Sequence, residues 1–137
     1  MSWEGRFTEK MEEHENTKRV MVVDDEAGAL TLIRIMLERS GFTVQGARDA
    51  LGALSLLEAS TPDLFVLDVM MPGMDGIELC RRIRARPQTA HTPILILSAR
   101  GDSESIAAGL AAGANDYLAK PVLHHDLAAK ARRLLGL

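Results

Sequence analysis

Cysteine is almost missing from this sequence. Cys80 is the only one, so no disulfide can form within the chain, which fits a reducing compartment. Aromatic residues are scarce as well, at 4%, but a hydrophobic share of 47% in 137 residues suffices for one domain with a single buried core. Neither sign of charge is in large excess. A net charge of −3 offers no basic surface for nucleic acid or for an anionic membrane. Long apolar runs are lacking: the uncharged stretch from Thr92 to Ala99 falls far short of the roughly 20 residues that span a bilayer. No targeting segment is visible, since Glu4, Arg6, Glu9 and Lys10 occupy the first ten residues with no apolar stretch behind them. The expectation is a soluble, cytoplasmic protein.

What is present is a regular alternation. Short apolar runs occur at Val20–Val23, Phe42–Val44, Leu64–Leu67, Ile94–Leu97 and, more weakly, Tyr117–Ala119. The first, third and fourth are continuous, as in strands covered on both faces. Between them the spacing is helical. Leu30, Ile33 and Leu37 form one stripe, with Gly41 where a helix C-cap belongs. Leu51, Leu54 and Leu57 form the second, closed by Pro62, and Ile77, Cys80 and Ile83 the third, stopped by Pro87. Ile106 and Leu110 lie among alanines between Asp102 and Gly113; Leu127, Ala131 and Leu134 complete the set. Five strand–helix alternations predict an α/β fold: a flavodoxin-like, doubly wound five-stranded parallel sheet, order 2-1-3-4-5, with helices on both faces. Residues 1–17 read as a polar N-terminal extension and 18–137 as the folded domain. Within the extension Trp3, Phe7 and Met11 would share one face of a helix.

Ligands of such sheets gather at the carboxyl ends of the strands, where the strand order reverses. There the first strand delivers Asp24 and Asp25, the third Asp68, the fourth Ser98 and the fifth Lys120. Three carboxylates side by side repel one another, by roughly 1–4 kcal/mol per pair at about 4 Å. A hard divalent cation with free water positions, Mg²⁺, relieves this. Cation and lysine together suit a phosphoryl group, and an ionised carboxylate needs no base to attack it.

The sequence from Lys18 to Leu137 resembles the receiver domains of two-component response regulators. The matching text is Val22–Glu26, Leu67–Gly76, Leu97–Ala99 and Gly113–Pro121, in order and at the ends of the right strands. The resemblance implies that Asp68 is the phosphoacceptor, and that Asp25, Asp68 and the Met70 backbone carbonyl bind Mg²⁺, with Asp24 acting through a water. It implies that Lys120 and Ser98 hold the phosphoryl group, that Tyr117 reports its arrival, and that Lys120–Pro121 is a cis peptide. The implied donor is a sensor histidine kinase or a histidine phosphotransfer protein. A downstream protein would bind the face formed by the fourth helix, fifth strand and fifth helix, with a homodimer left open. No nucleic acid or membrane is bound directly, and catalysis is limited to Mg²⁺-dependent self-phosphorylation and self-dephosphorylation.

Other readings account for fewer residues. An aspartate-nucleophile phosphatase of the haloacid-dehalogenase kind needs an acid two residues after the nucleophile, where Met70 stands. A flavin binder would not place Asp24-Asp25-Glu26 in its phosphate loop, and no P-loop is present. The remaining alternatives are a phosphorylation-independent docking module, which predicts a damaged acidic pocket, and the receiver of a longer regulator. His14, His91, His124 and His125 share no ligand spacing and read as surface residues, and Cys80 as an inert core thiol.

Overall fold

A computed structural model describes residues 17–71 and 73–137. Five strands, β1 (Arg19–Val23), β2 (Thr43–Ala47), β3 (Leu64–Asp68), β4 (Ile94–Ala99) and β5 (Asp116–Lys120), alternate with five helices. These are α1 (Ala27–Arg39), α2 (Ala50–Leu57), α3 (Gly76–Ala85), α4 (Ser103–Ala111) and α5 (His124–Leu134). All strand pairs are parallel, in the order β2-β1-β3-β4-β5. This is the fold the alternation predicts, and β1 and β3 lie together at its centre.

Two apolar layers sandwich the sheet. Met21, Val23, Phe65, Leu67, Ile94 and Ile96 face α2 and α3, while Val20, Val22, Leu64, Val66, Leu95 and Leu97 face α1 and α5. Every residue of β3 is buried, so a strand with two covered faces is continuously apolar up to its final Asp68. Aspartates start three of the helices: Asp49, Asp75 and Asp102 accept from the backbone N–H groups of Gly52, Glu78 and Ser105 at 2.6, 2.8 and 3.1 Å. α1 ends as expected, with Gly41 at φ 96° just past its last turn.

Two apolar stripes differ in phase from the expectation. α2 buries Ala50, Ala53 and Leu57 and leaves Leu51 71% exposed. Small residues let this helix lie close to the sheet, so leucine spacing alone misassigns its inner face. α4 buries Gly109, with Leu110 at 41% exposure, because the Ile96 side chain fills the space a Cβ would need at position 109. Gly109 is thus a contact point with the sheet, not only a weak place in a helix. β2 likewise starts after Phe42 and runs to Ala47, beyond the expected Val44. The stripe Trp3, Phe7 and Met11 and His14 lie outside the described residues.

Candidate functional site

Successive strand residues point to opposite faces, and this alternation sorts the site. Asp24 follows Val20 and Val22, Asp68 follows Leu64 and Val66, and Lys120 follows Leu118, all on the α1–α5 side. The three meet where β1, β3 and β5 end. Lys120 Nζ lies 3.1 Å from Asp68 Oδ2 and 3.5 Å from Asp24 Oδ2. Ser98 falls in the opposite class, with Ile94 and Ile96, and Tyr117 is likewise opposite to Lys120.

Asp24 and Asp68 are buried, at 0% and 3% exposure, which is costly for carboxylates. Local backbone offsets part of that cost: Asp24 Oδ1 accepts from Glu26 N–H at 3.0 Å and Asp68 Oδ1 from Met70 N–H at 3.1 Å. The second Asp24 oxygen keeps its ion contact with Lys120 but has no hydrogen bond. Asp25, half-buried, brings its carboxylate into the same cluster, with one oxygen from each of the three aspartates within 4.8 Å of the others.

The electrostatics follow from this burial. Desolvation pushes the Asp68 carboxyl above the usual range, and the neighbouring Asp24 charge adds to it. The Met70 N–H and Lys120 pull the other way without prevailing. Burial alone would weaken the Lys120 ammonium, but the carboxylates of Asp68 and Asp24 outweigh it and hold its pKa above the ordinary lysine value. An ion pair would ordinarily lower its acid, but at Asp68 the desolvation that comes with burial outweighs the pairing with Lys120. Hard oxygen donors, excess negative charge and an orphaned Asp24 oxygen fit a bound divalent cation.

The start of α3 packs closely against the end of β3. A Cβ at Gly76 would meet the Asp68 carbonyl oxygen and stand 2.8 Å from Val69 Cα, so only glycine admits α3 this close to the site. Ser98 is buried with its hydroxyl 3.5 Å from the Ala99 carbonyl, at the outer limit for a hydrogen bond. Tyr117 is 38% exposed, with Lys130 Nζ 5.1 Å from its ring centre. The same ammonium donates to Asp116 Oδ1 at 3.0 Å and to the Tyr117 carbonyl at 2.8 Å. The Lys120–Pro121 peptide is cis. His91, His124 and His125 are exposed, and the Cys80 thiol is fully buried, with burial raising its pKa.

Sequence reasoning missed two arginines. Arg48, just past β2, donates to the Asp25 carbonyl at 3.1 Å and so braces the rim of the site. Arg84 sits at the far end of the molecule, where it joins several loops. No spacing rule distinguishes either from a solvated surface charge.

Fold and pocket together define a doubly wound α/β domain with an acidic, lysine-bearing site where the strand order reverses. The chain belongs to the response regulator receiver domain family, whose profile matches residues 20–132, and is thus a phosphoacceptor domain of two-component signalling. Among its relatives, the phosphate regulon transcriptional regulatory protein PhoB of Rhizobium meliloti is 43% identical over 117 residues, which are 85% of this chain and 52% of that protein. The alkaline phosphatase synthesis transcriptional regulatory protein PhoP of Bacillus subtilis is 42% identical, over 86% of this chain and 48% of that protein. The chain therefore spans about half the length of the curated relatives it matches. Among solved structures, the chemotaxis protein CheY4 of Vibrio cholerae superposes with a TM-score of 0.82 at 30% identity, covering 86% of this chain and 98% of that one. Among the described residues no helix is long and apolar enough to cross a membrane.

Proposed function

We propose that Asp68 accepts a phosphoryl group from a phosphohistidine on a sensor kinase or phosphotransfer protein, and that the acylphosphate so formed resets a protein-binding surface. The observation that carries this reading is the lysine held between two buried carboxylates, Asp68 and Asp24, with Asp25 completing the cluster. One Asp68 oxygen attacks the phosphorus while the P–N bond to the donor imidazole breaks. Lys120 receives the phosphoryl oxygens, and Ser98, poorly bonded in the described state, turns to donate to them. Asp25, Asp68 and the Met70 carbonyl would hold Mg²⁺, with Asp24 acting through a water. Such a cation would neutralise charge on the transferring group. Catalysis is confined to this self-phosphorylation and its reversal by water.

The partial exposure of the Tyr117 ring supports a switch in which the ring lies outward before phosphorylation. Movement of Ser98 opens space beside β5, the ring turns inward, and the α4–β5–α5 face changes its partner affinity. Residues 18–137 form this receiver and residues 1–17 an extension of it, in a cytoplasmic protein.

The test is labelling by acetyl phosphate or a phosphorylated donor protein with Mg²⁺. Wild type should acquire one base-labile, hydroxylamine-sensitive phosphoryl group and Asp68→Asn none. Undiminished labelling of Asp68→Asn would remove the assignment. A phosphoryl mimic bound at Asp68 that left Tyr117 and α4 unmoved in NMR spectra would remove the switch.

A further inference from the structure

Between α2 and α3 runs a groove of about 460 Å³, lined by Leu51, Leu54, Glu58, Arg82, Ala85 and Arg86. Its chemistry is mixed in a particular way. Leu51 is the most exposed large apolar side chain among the described residues, at 71%. On the α3 wall stand Arg82, whose Nε donates to Glu78 Oε1 at 3.1 Å, and Arg86, whose Nε is buried without a hydrogen-bond partner and is the wall's unengaged donor. The α2 wall ends in Glu58. An occupant of this groove needs an apolar stripe, carboxylates along one edge and a cation on the other.

The first sixteen residues have that pattern. Trp3, Phe7 and Met11 recur at four-residue intervals, and five carboxylates, Glu4, Glu9, Glu12, Glu13 and Glu15, outnumber Arg6 and Lys10. On a helix of about 3.6 residues per turn, Glu4 and Glu15 border one edge of the stripe and Arg6 and Lys10 the other. The attachment point is also suitable. Arg19 N–H donates to Asp63 Oδ2 at 2.8 Å and Asp63 N–H to the Arg19 carbonyl at 2.8 Å, so the chain enters β1 beside the connection from α2 to β3. The groove's Glu58 and Arg86 lie at this same end of the molecule, since α2 and α3 both run away from the carboxyl edge of the sheet. The helical rise of about 1.5 Å per residue makes Trp3 to Met11 about 12 Å long, comparable to the stretch from Leu51 to Glu58.

We propose that residues 1–16 dock in the α2–α3 groove of their own chain, with Trp3, Phe7 and Met11 on Leu51 and Leu54 and the acidic edge along Arg82 and Arg86. A second apolar hollow, lined by Ala29, Leu32, Ile33, Met36, Pro121 and Val122, serves this segment less well. Its one cation, Lys120, is engaged by Asp68 and Asp24, and it lies near the carboxyl edge, away from the attachment point.

Trp3 is the only tryptophan, so its fluorescence reports on the segment alone. In the full chain its emission should be blue-shifted, and its iodide quenching several-fold weaker, relative to a peptide of residues 1–16. Leu51→Glu combined with Arg86→Glu should return both to the peptide values. Leu51 is exposed and Arg86 half-buried at the groove's wall, and circular dichroism would verify that the fold is kept. Leu32→Glu, in the other hollow, should change nothing. Deleting residues 1–16 should shift backbone amide resonances of α2 and α3 and leave those of α1 and α5 in place. Trp3 as accessible as in the free peptide would overturn the proposal. So would protection that Leu32→Glu abolishes, protection that vanishes on dilution (docking between copies), or protection that appears only with lipid vesicles.

Discussion

The two ends of the sheet are built on opposite terms. At the carboxyl edge two buried carboxylates share one lysine, Asp24 keeps an oxygen without a hydrogen bond, and Ser98 makes only a long contact. At the amino edge Arg84 donates to the carbonyls of Gly113, Thr89 and Thr92 at 3.0, 3.0 and 2.6 Å, and to Asn115 Oδ1 at 2.9 Å. Asn115 Oδ1 also accepts from Ile94 N–H at 2.8 Å, and Thr89 Oγ1 donates to the Ile83 carbonyl at 2.6 Å. One arginine thus joins the end of α3, the turn Pro87–Thr89, the start of β4 and the turn into β5. The amino edge holds the fold. The carboxyl edge leaves charge uncompensated, and that deficit is what a cation and a phosphoryl group can fill.

The largest expected effect tests the stabilising end. Arg84→Ala should lower unfolding free energy by roughly 3 kcal/mol or more, because several acceptors lose their donor together. Chemical denaturation would measure it. The folded fraction should still take up phosphate, and a variant that kept full stability would break the comparison at this end.

At the other end, Asp25→Ala should weaken Mg²⁺ binding at least about tenfold, or roughly 1.4 kcal/mol, by calorimetric titration. Its folding stability should change little, the reverse of Arg84→Ala.

Asp68→Asn sharpens the contrast through pH. Burial raises the Asp68 pKa, so protonation favours the fold and the ionised carboxylate is a net cost at neutral pH. Without metal, the asparagine variant should melt on the order of 3–5 °C higher at pH 7, the size of about 1 kcal/mol in a domain of this length. The difference should disappear as the pH falls below about 3.9, where the carboxyl is protonated in both folded and unfolded chains. Saturating Mg²⁺ should reverse the order. Lys120, raised by the same neighbours, contributes fully below about pH 10.4 and loses that contribution only as the pH rises through its folded value.

The smallest effect belongs to Lys130. Lys130→Ala removes a partly exposed ion pair, a hydrogen bond and a cation–π contact together and should cost about 1 kcal/mol, while moving the Tyr117 ring resonances. Acetyl-phosphate labelling at Asp68 should be unaffected.

Most of the fold and the carboxylate cluster were legible before any coordinates. Continuous apolar runs require strands covered on both faces, alternation with helical stripes requires parallel crossovers, and the strand order then brings Asp24, Asp25, Asp68 and Lys120 to one edge. Such patterns are local in sequence or fixed by topology. Leu51, Gly109 and Arg84 were not legible, because each depends on what a distant segment leaves open. The inner face of α2 was decided by how closely alanines let it approach the sheet. The space at Gly109 was decided by Ile96, thirteen positions earlier. Arg84 reads as one more basic residue near a helix end until the fold brings the carbonyls of Thr89, Thr92 and Gly113 around it. Hydrophobic period and chain chirality act along the sequence; packing clearance and hydrogen-bond closure exist only once the segments have met.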